Sequence, residues 1–150
     1  MRSWISAAAI TIVLVAAPVY AAVLQSLSVV SEKGAFVYKV ELAADDATRE
    51  KGLMFRKEMP KDHGMLFDFG TDRVAHMWMK NTFIPLDMVF IRADGEVASI
   101  AKNAQPQSLS LISSGVRVRA VLELNSGEAD AMGLKPGDRV KHKMFRAKAD

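Results

Sequence analysis

From about residue 24 onward the apolar residues of this chain come in short runs, each cut by a turn-forming cluster, and this spacing restricts the fold more than any other feature. Leu27 to Val30 and Phe36 to Leu42 flank the polar turn Ser31-Glu32-Lys33-Gly34 and predict an opening hairpin. Met65 to Phe67, Val74 to Met79, Leu86 to Ile91 and Val97 to Ala101 follow as further strands. They are separated by Gly70-Thr71-Asp72, by Lys80-Asn81-Thr82 with Pro85, and by Ala93-Asp94-Gly95-Glu96, whose Asp-Gly is a strong hairpin signal. Val116 to Leu124 and an alternating segment from Arg139 to Met144 complete about eight strands.

Two short helices interrupt this pattern. Asp45 and Asp46 offer capping oxygens before Ala47-Thr48-Arg49-Glu50-Lys51, and Gly52 ends the run, which predicts a helix over 46–51. A second helix is expected from Ser126 to Met132, capped by Ser126 and stopped by Gly133, with Pro136-Gly137-Asp138 as a tight turn. Leu53-Met54-Phe55 reads as an apolar plug and Arg56 to Gly64 as a polar loop. Asn103 to Gly115 reads as an exposed loop anchored by Leu109 or Leu111. Parallel sheets need strands alternating with helices. Their absence predicts a mainly β fold, a mostly antiparallel, compact barrel or sandwich with two short helices.

The first 21 residues are of another kind. No charged side chain occurs from Ser3 to Ser31, and Trp4 to Ala17 is nearly all apolar behind the single basic residue Arg2. Pro18 then breaks the run before Val19-Tyr20-Ala21. This is the layout of a signal peptide cleaved after Ala21, leaving 22–150 as one globular domain. An uncleaved membrane anchor is the alternative, since a stretch of this length would span ~30 Å of hydrocarbon. The signal-peptide reading implies a periplasmic or secreted location; an uncleaved segment would be the chain's only attachment to a membrane.

At 150 residues the chain is long enough to bury a core without crosslinks. It has no cysteine, which excludes disulfides, thiol catalysis, Cys-ligated zinc and lipid attachment through an N-terminal Cys. The net charge of +3 falls to +2 once Arg2 leaves with the leader (3 − 1), too small an excess to argue for nucleic acid.

Several segments, in order, carry a family likeness: Gly52-Leu53-Met54-Phe55-Arg56, Gly64-Met65-Leu66-Phe67-Asp68-Phe69, Trp78-Met79-Lys80-Asn81-Thr82 with Ile84-Pro85-Leu86-Asp87, Val121-Leu122-Glu123-Leu124 with Gly127, and Gly137-Asp138. Together they resemble the domain-of-unknown-function family numbered 192 over about 37–140, the Trp-Met-Lys-Asn-Thr stretch being the most specific part. The resemblance implies a compact, jelly-roll-like β structure and export, and names no activity. In the loop after Pro106, where the family commonly has an aromatic residue before a Ser, this chain has Leu111-Ile112-Ser113-Ser114.

The polar residues Arg56, Lys80, Asn81, Thr82, Asp87 and Glu123 lie mostly in or beside turns, where an ammonium, an amide and a hydroxyl close together suit an anionic or polyhydroxy ligand. Their competing role is structural: Asn81 and Thr82 shape a turn while Arg56 or Lys80 pairs with Asp87 or Glu123. Asp68, Asp87 and Glu123 are the carboxylates available for acid–base catalysis, with Lys80 as charge stabiliser. No Gly-x-Ser-x-Gly, His-Glu-x-x-His or phosphate-loop motif accompanies them. Met77 and Met79 with His63, His76 and His142 are soft donors of the kind that bind copper(I), although alternation puts His76 on the face opposite the two methionines. Methionine is also an ordinary core filler. Arg139, Lys141 and Lys143, continued by Arg146 and Lys148, form a basic row that reads as a solvated strand face, with weak attraction to anionic lipid or wall polymer as the alternative. The reading favoured by these residues is a cell-envelope binding or accessory module for a small polar or anionic ligand, with no catalytic residue, metal or cofactor assigned. A hydrolase-type enzyme is the runner-up, and a copper-binding, structural or partner-docking protein the third.

Overall fold

The computed structural model describes residues 23–145; the leader, Arg146 and Lys148 lie outside them. Seven strands and two short helices run in the order β1 (Leu24–Ser31), β2 (Gly34–Ala43), α1 (Asp46–Lys51), β3 (His63–Met77), β4 (Leu86–Ile91), β5 (Val97–Ala104), β6 (Ile112–Asn125), α2 (Glu128–Met132) and β7 (Arg139–Lys141). All seven strands belong to one sheet ordered β5-β4-β6-β3-β2-β1-β7. The mainly β architecture with two short helices is the one expected.

The sheet curls until its two edge strands meet. Val97 N–H donates to the Asp138 carbonyl at 2.8 Å, and Val140 N–H to the Gly95 carbonyl at 2.8 Å. Thus the turn before β5 touches the last strand, and the barrel side of the expectation is realised by partial closure. Side chains alternate between the faces of a strand, so each face carries its own core. Leu66, Val89, Leu122 and Leu124 pack on one face with Leu27, Val40, Val140 and the α2 residues Ala129 and Met132. Met65, Phe67, Met88, Phe90 and Val121 pack on the other with Leu53, Met79 and Ile84.

Several expectations are corrected. The strands expected at Met65–Phe67 and Val74–Met79 are one strand, β3, whose register against β6 shifts between Asp68 and Arg73. Gly70-Thr71-Asp72, expected as a turn between two strands, is therefore a bulged part of one, and seven strands replace eight. The β2–β3 pair is parallel, because α1 and the loop after it carry the chain back to the middle of β2, where His63 falls beside Lys39. Asn103 to Gly115 is only partly a loop: β5 runs to Ala104 and β6 begins at Ile112, while Leu109 and Leu111 are exposed and anchor nothing. In the 53–55 plug only Leu53 is buried; Phe55 points outward at a positive φ of 65°. The final strand ends at Lys141, so its alternation does not reach Met144.

α1 starts where its chemistry predicts. The Asp45 carboxylate accepts from Thr48 N–H at 2.9 Å, and the Thr48 hydroxyl in turn accepts from Asp45 N–H at 3.3 Å. α2 differs from expectation. Its N-cap is Gly127, at a positive φ, and Ser126 does not cap it. The missing acceptor comes from Asp87 of β4.

Candidate functional site

Glu123 lies on β6 opposite Met65 of β3 and Met88 of β4. A carboxyl set between two methionine side chains on a core-facing side is stripped of water, and only 4% of its surface remains exposed. That burial, with no other cause, raises its pKa from the ordinary 4.5 to about 8. Among the described residues no cation pairs with it. Its side chain lines a cavity of about 300 Å³.

Several elements build that cavity. α1 and the turn after it supply one wall, Phe67, Phe69, Arg73, His76 and Met77 of β3 a second, and Trp78 with Thr82 a third. Gly52 allows the close approach of the first wall: at a φ of 48°, any Cβ there would come 3.1 Å from the Phe67 ring. Thr82 is 5% exposed, and its hydroxyl donates to the Lys80 carbonyl at 3.1 Å. The loop that carries it is pinned to the 53–56 segment by Phe55 N–H donating to the Asn81 carbonyl at 2.8 Å. Asn81 itself takes a positive φ of 52°, a conformation Asn tolerates better than most residues.

Of the six residues singled out from sequence, Thr82 and Glu123 share this cavity. Arg56 lines an adjoining groove that meets the cavity at Lys51 and Gly52. There its guanidinium donates to both oxygens of Glu41 at 2.5 and 2.7 Å, and these bonds hold the Glu41 carboxyl below its usual range. Lys80 places its ammonium over the Trp78 ring, 4.9 Å from the centroid, and lines neither cavity nor groove. Asn81 serves the turn.

Asp87 faces the other way. Neighbouring residues of a strand alternate, and Asp87 is next to Met88, which is on the Glu123 face. It is 1% exposed, and its carboxylate accepts from the backbone N–H groups of Asn103 (2.9 Å), Gly127 (3.0 Å) and Ala129 (2.9 Å). Asp87 is thus the N-terminal cap of α2, delivered from a distant strand. Asp68, the third carboxylate, is held by Arg119 at 2.8 Å, which lowers its pKa.

The soft donors do not converge. His63 pairs with Asp62 at 2.8 Å, His142 with Gln25 at 3.0 Å, and Met79 is fully buried. His76 and Met77 line the same cavity, where alternation along the strand put them on opposite faces; β3 ends at Met77, and strict alternation ends with it. Among the described residues no three His, Asp or Glu cluster as metal ligands. In the basic row, Arg139 binds Asp94 at 3.2 Å, whereas Lys141 and Lys143 are exposed. Trp78, Phe67, Phe69, Arg49 and Arg73 are cavity residues that the sequence did not single out as a site. The positive φ at Asn81 and the bulge in β3 assemble them, and neither has a clear sequence signature.

Together these features define a curled, single-sheet β protein with a small cavity on one face, closed at its base by a buried acid. The chain belongs to the DUF192 family, described as an uncharacterized ACR, whose model matches residues 28–142. A solved structure of a protein of unknown function from Novosphingobium aromaticivorans DSM 12444 is similar with a TM-score of 0.80 and 39% identity, covering 84% of this chain and 90% of that one. Another, from Sinorhizobium meliloti 1021 and provisionally described as a transcription regulator, has a TM-score of 0.77 and 47% identity, covering 79% and 92%. A comparison with curated proteins finds no match.

Proposed function

We propose that this protein is a binding module of the cell envelope that takes a small polar ligand in the cavity based on Glu123 and Thr82. The observation that carries this reading is Glu123: a carboxyl 4% exposed, with no cation beside it, lining a cavity of about 300 Å³. Desolvating a carboxyl is costly, and a ligand that pairs with Glu123 offsets that cost. Aromatic and methionine side chains supply the apolar contact area, as in most small-molecule sites.

What favours binding over acid–base catalysis is the employment of the other carboxylates. Asp68 is committed to Arg119 and Asp87 to three backbone amides on the opposite face. The description of the Sinorhizobium meliloti relative suggests nucleic acid, but a net charge of +3 over 150 residues gives that role no support. The envelope location rests on the leader-like segment ending at Ala21. N-terminal sequencing of protein recovered from a producing cell is expected to begin at Ala22; a start at Met1 overturns cleavage.

The cavity has built-in reporters, since Met54 and Met77 line it. With ¹³C-methyl methionine, a fragment library is expected to shift these two signals selectively, and Glu123→Gln to alter which fragments do so. Fragments that never move either signal would refute the reading.

A further inference from the structure

The walls of the cavity bear on the chemistry of what enters it. Thr82 has committed its proton to the Lys80 carbonyl, so towards the cavity its oxygen offers only lone pairs. Glu123, once ionised, likewise offers only acceptors. The cations that line the cavity are occupied elsewhere or stand at the surface. Arg49 donates to the Ala44 and Asp68 carbonyls and to Asp46, and Arg73 sits over the Phe69 ring, 4.5 Å from the centroid. Lys51 and His76 are exposed, as are Asp46 and Glu50 among the acids. Apart from Gly52 and Leu53, the remainder is aromatic or thioether: Phe67, Phe69, Trp78, Met54 and Met77.

We propose that the ligand is a small organic amine, bound as its ammonium, whose N–H groups donate to Glu123 and Thr82 while its carbon skeleton lies against Trp78, Phe67 and the two methionines. This deepens the preceding proposal and rests on it. A buried carboxyl must either keep its proton or acquire a positive partner. Among the described residues no wall side chain provides that partner, so free Glu123 keeps its proton, and a cationic ligand is the partner that would let it ionise. With Glu123 ionised, a carboxylate ligand would meet two acceptor groups and an alcohol would have one proton to share between them, whereas the protonated acid would donate to either. An ammonium has three protons. Aromatic faces around the site add cation–π attraction of the same sign.

The proposal has a proton signature. Free Glu123 carries its proton below about pH 8, and ammonium binding expels it.

The full chain is titrated with n-butylamine and benzylamine and with the corresponding alcohols and carboxylates, following the Met54 and Met77 methyl signals and the heat of binding. The amines are expected to bind at least about tenfold more tightly than either counterpart. Amine affinity is expected to rise about tenfold from pH 6 to pH 7, with release of close to one proton seen as buffer-dependent heat. Glu123→Gln removes that dependence and weakens the amine; Thr82→Val weakens it with the dependence kept; His76→Gln keeps the dependence and so separates the histidine from the acid. Alcohols or carboxylates binding as well as amines, or an amine affinity flat with pH, would overturn the amine while leaving a working cavity. If no compound of the three classes moves the methyl signals, the amine proposal and the binding reading fall together.

Discussion

Glu123 is the residue at which burial and chemistry disagree most, and its pH dependence follows with a definite sign. Below about pH 4.5 the proton is bound in both folded and unfolded chains, and the side chain costs little. Between 4.5 and about 8 only the unfolded chain releases it, so stability declines as pH rises; above about 8 the whole penalty is present. At ~1.4 kcal/mol for each tenfold change in proton affinity, this amounts to several kcal/mol. The wild type is therefore expected to lose melting temperature relative to Glu123→Gln as pH is raised from 5 to 9. Parallel melting curves would show that the acid is not desolvated as described. The sequence offered Glu123 as one of six polar candidates and could not rank it. Its lack of a partner depends on Met65 and Met88, which reach it through strand pairings over a distance in sequence.

At the scale of elements, the informative case is α2, a helix of five residues that begins at a glycine without a capping side chain of its own. Asp87 supplies the cap and at the same time receives the amide of Asn103, tying β4, β5 and α2 together. Asp87→Ala strands three backbone donors, of which the Ala129 amide is buried, and is expected to cost about 2 kcal/mol, read as a lower urea midpoint with an unchanged slope; a loss within experimental error would mean that water replaces the carboxylate. α1 was legible in sequence because its cap, Asp45, is three residues from the amide it serves. The cap of α2 was not, because it is supplied 40 residues earlier in the chain. The same contrast explains the strands. The β1–β2 hairpin, with Ser31 opposite Gly34, was readable from its turn. The continuous β3 was hidden because Gly70-Thr71-Asp72 has turn composition, with Gly70 at a positive φ, and only the pairing of the flanking residues with β6 keeps it within one strand.

Over the whole molecule, partial closure of the sheet brings Gly95 hard against the last strand. Gly95 has a φ of 87°, and a Cβ there would lie 2.4 Å from the Val140 carbonyl oxygen, so an alanine would be both strained and overpacked. Gly95→Ala is expected to destabilise by about 2–4 kcal/mol and to accelerate amide exchange at Val97 and Val140, the donors that join the two edges; unaltered exchange at both would show that the edges hold independently. The sequence by itself determined the local content of this protein: a mainly β chain, two short helices, the first hairpin, the Asp-Gly turn and a family likeness that the comparisons bear out. Those properties depend on residues near one another, through turn chemistry and alternation. Only the tertiary structure decided the parallel β2–β3 pair, the meeting of the sheet edges and the division of six polar candidates between two faces. Asp87 and Glu123 differ little as isolated carboxylates. Strand parity sends one to a ring of backbone amides and the other to a cavity where no described cation pairs with it, and that parity acquires meaning only once the sheet has curled and each face has its own core.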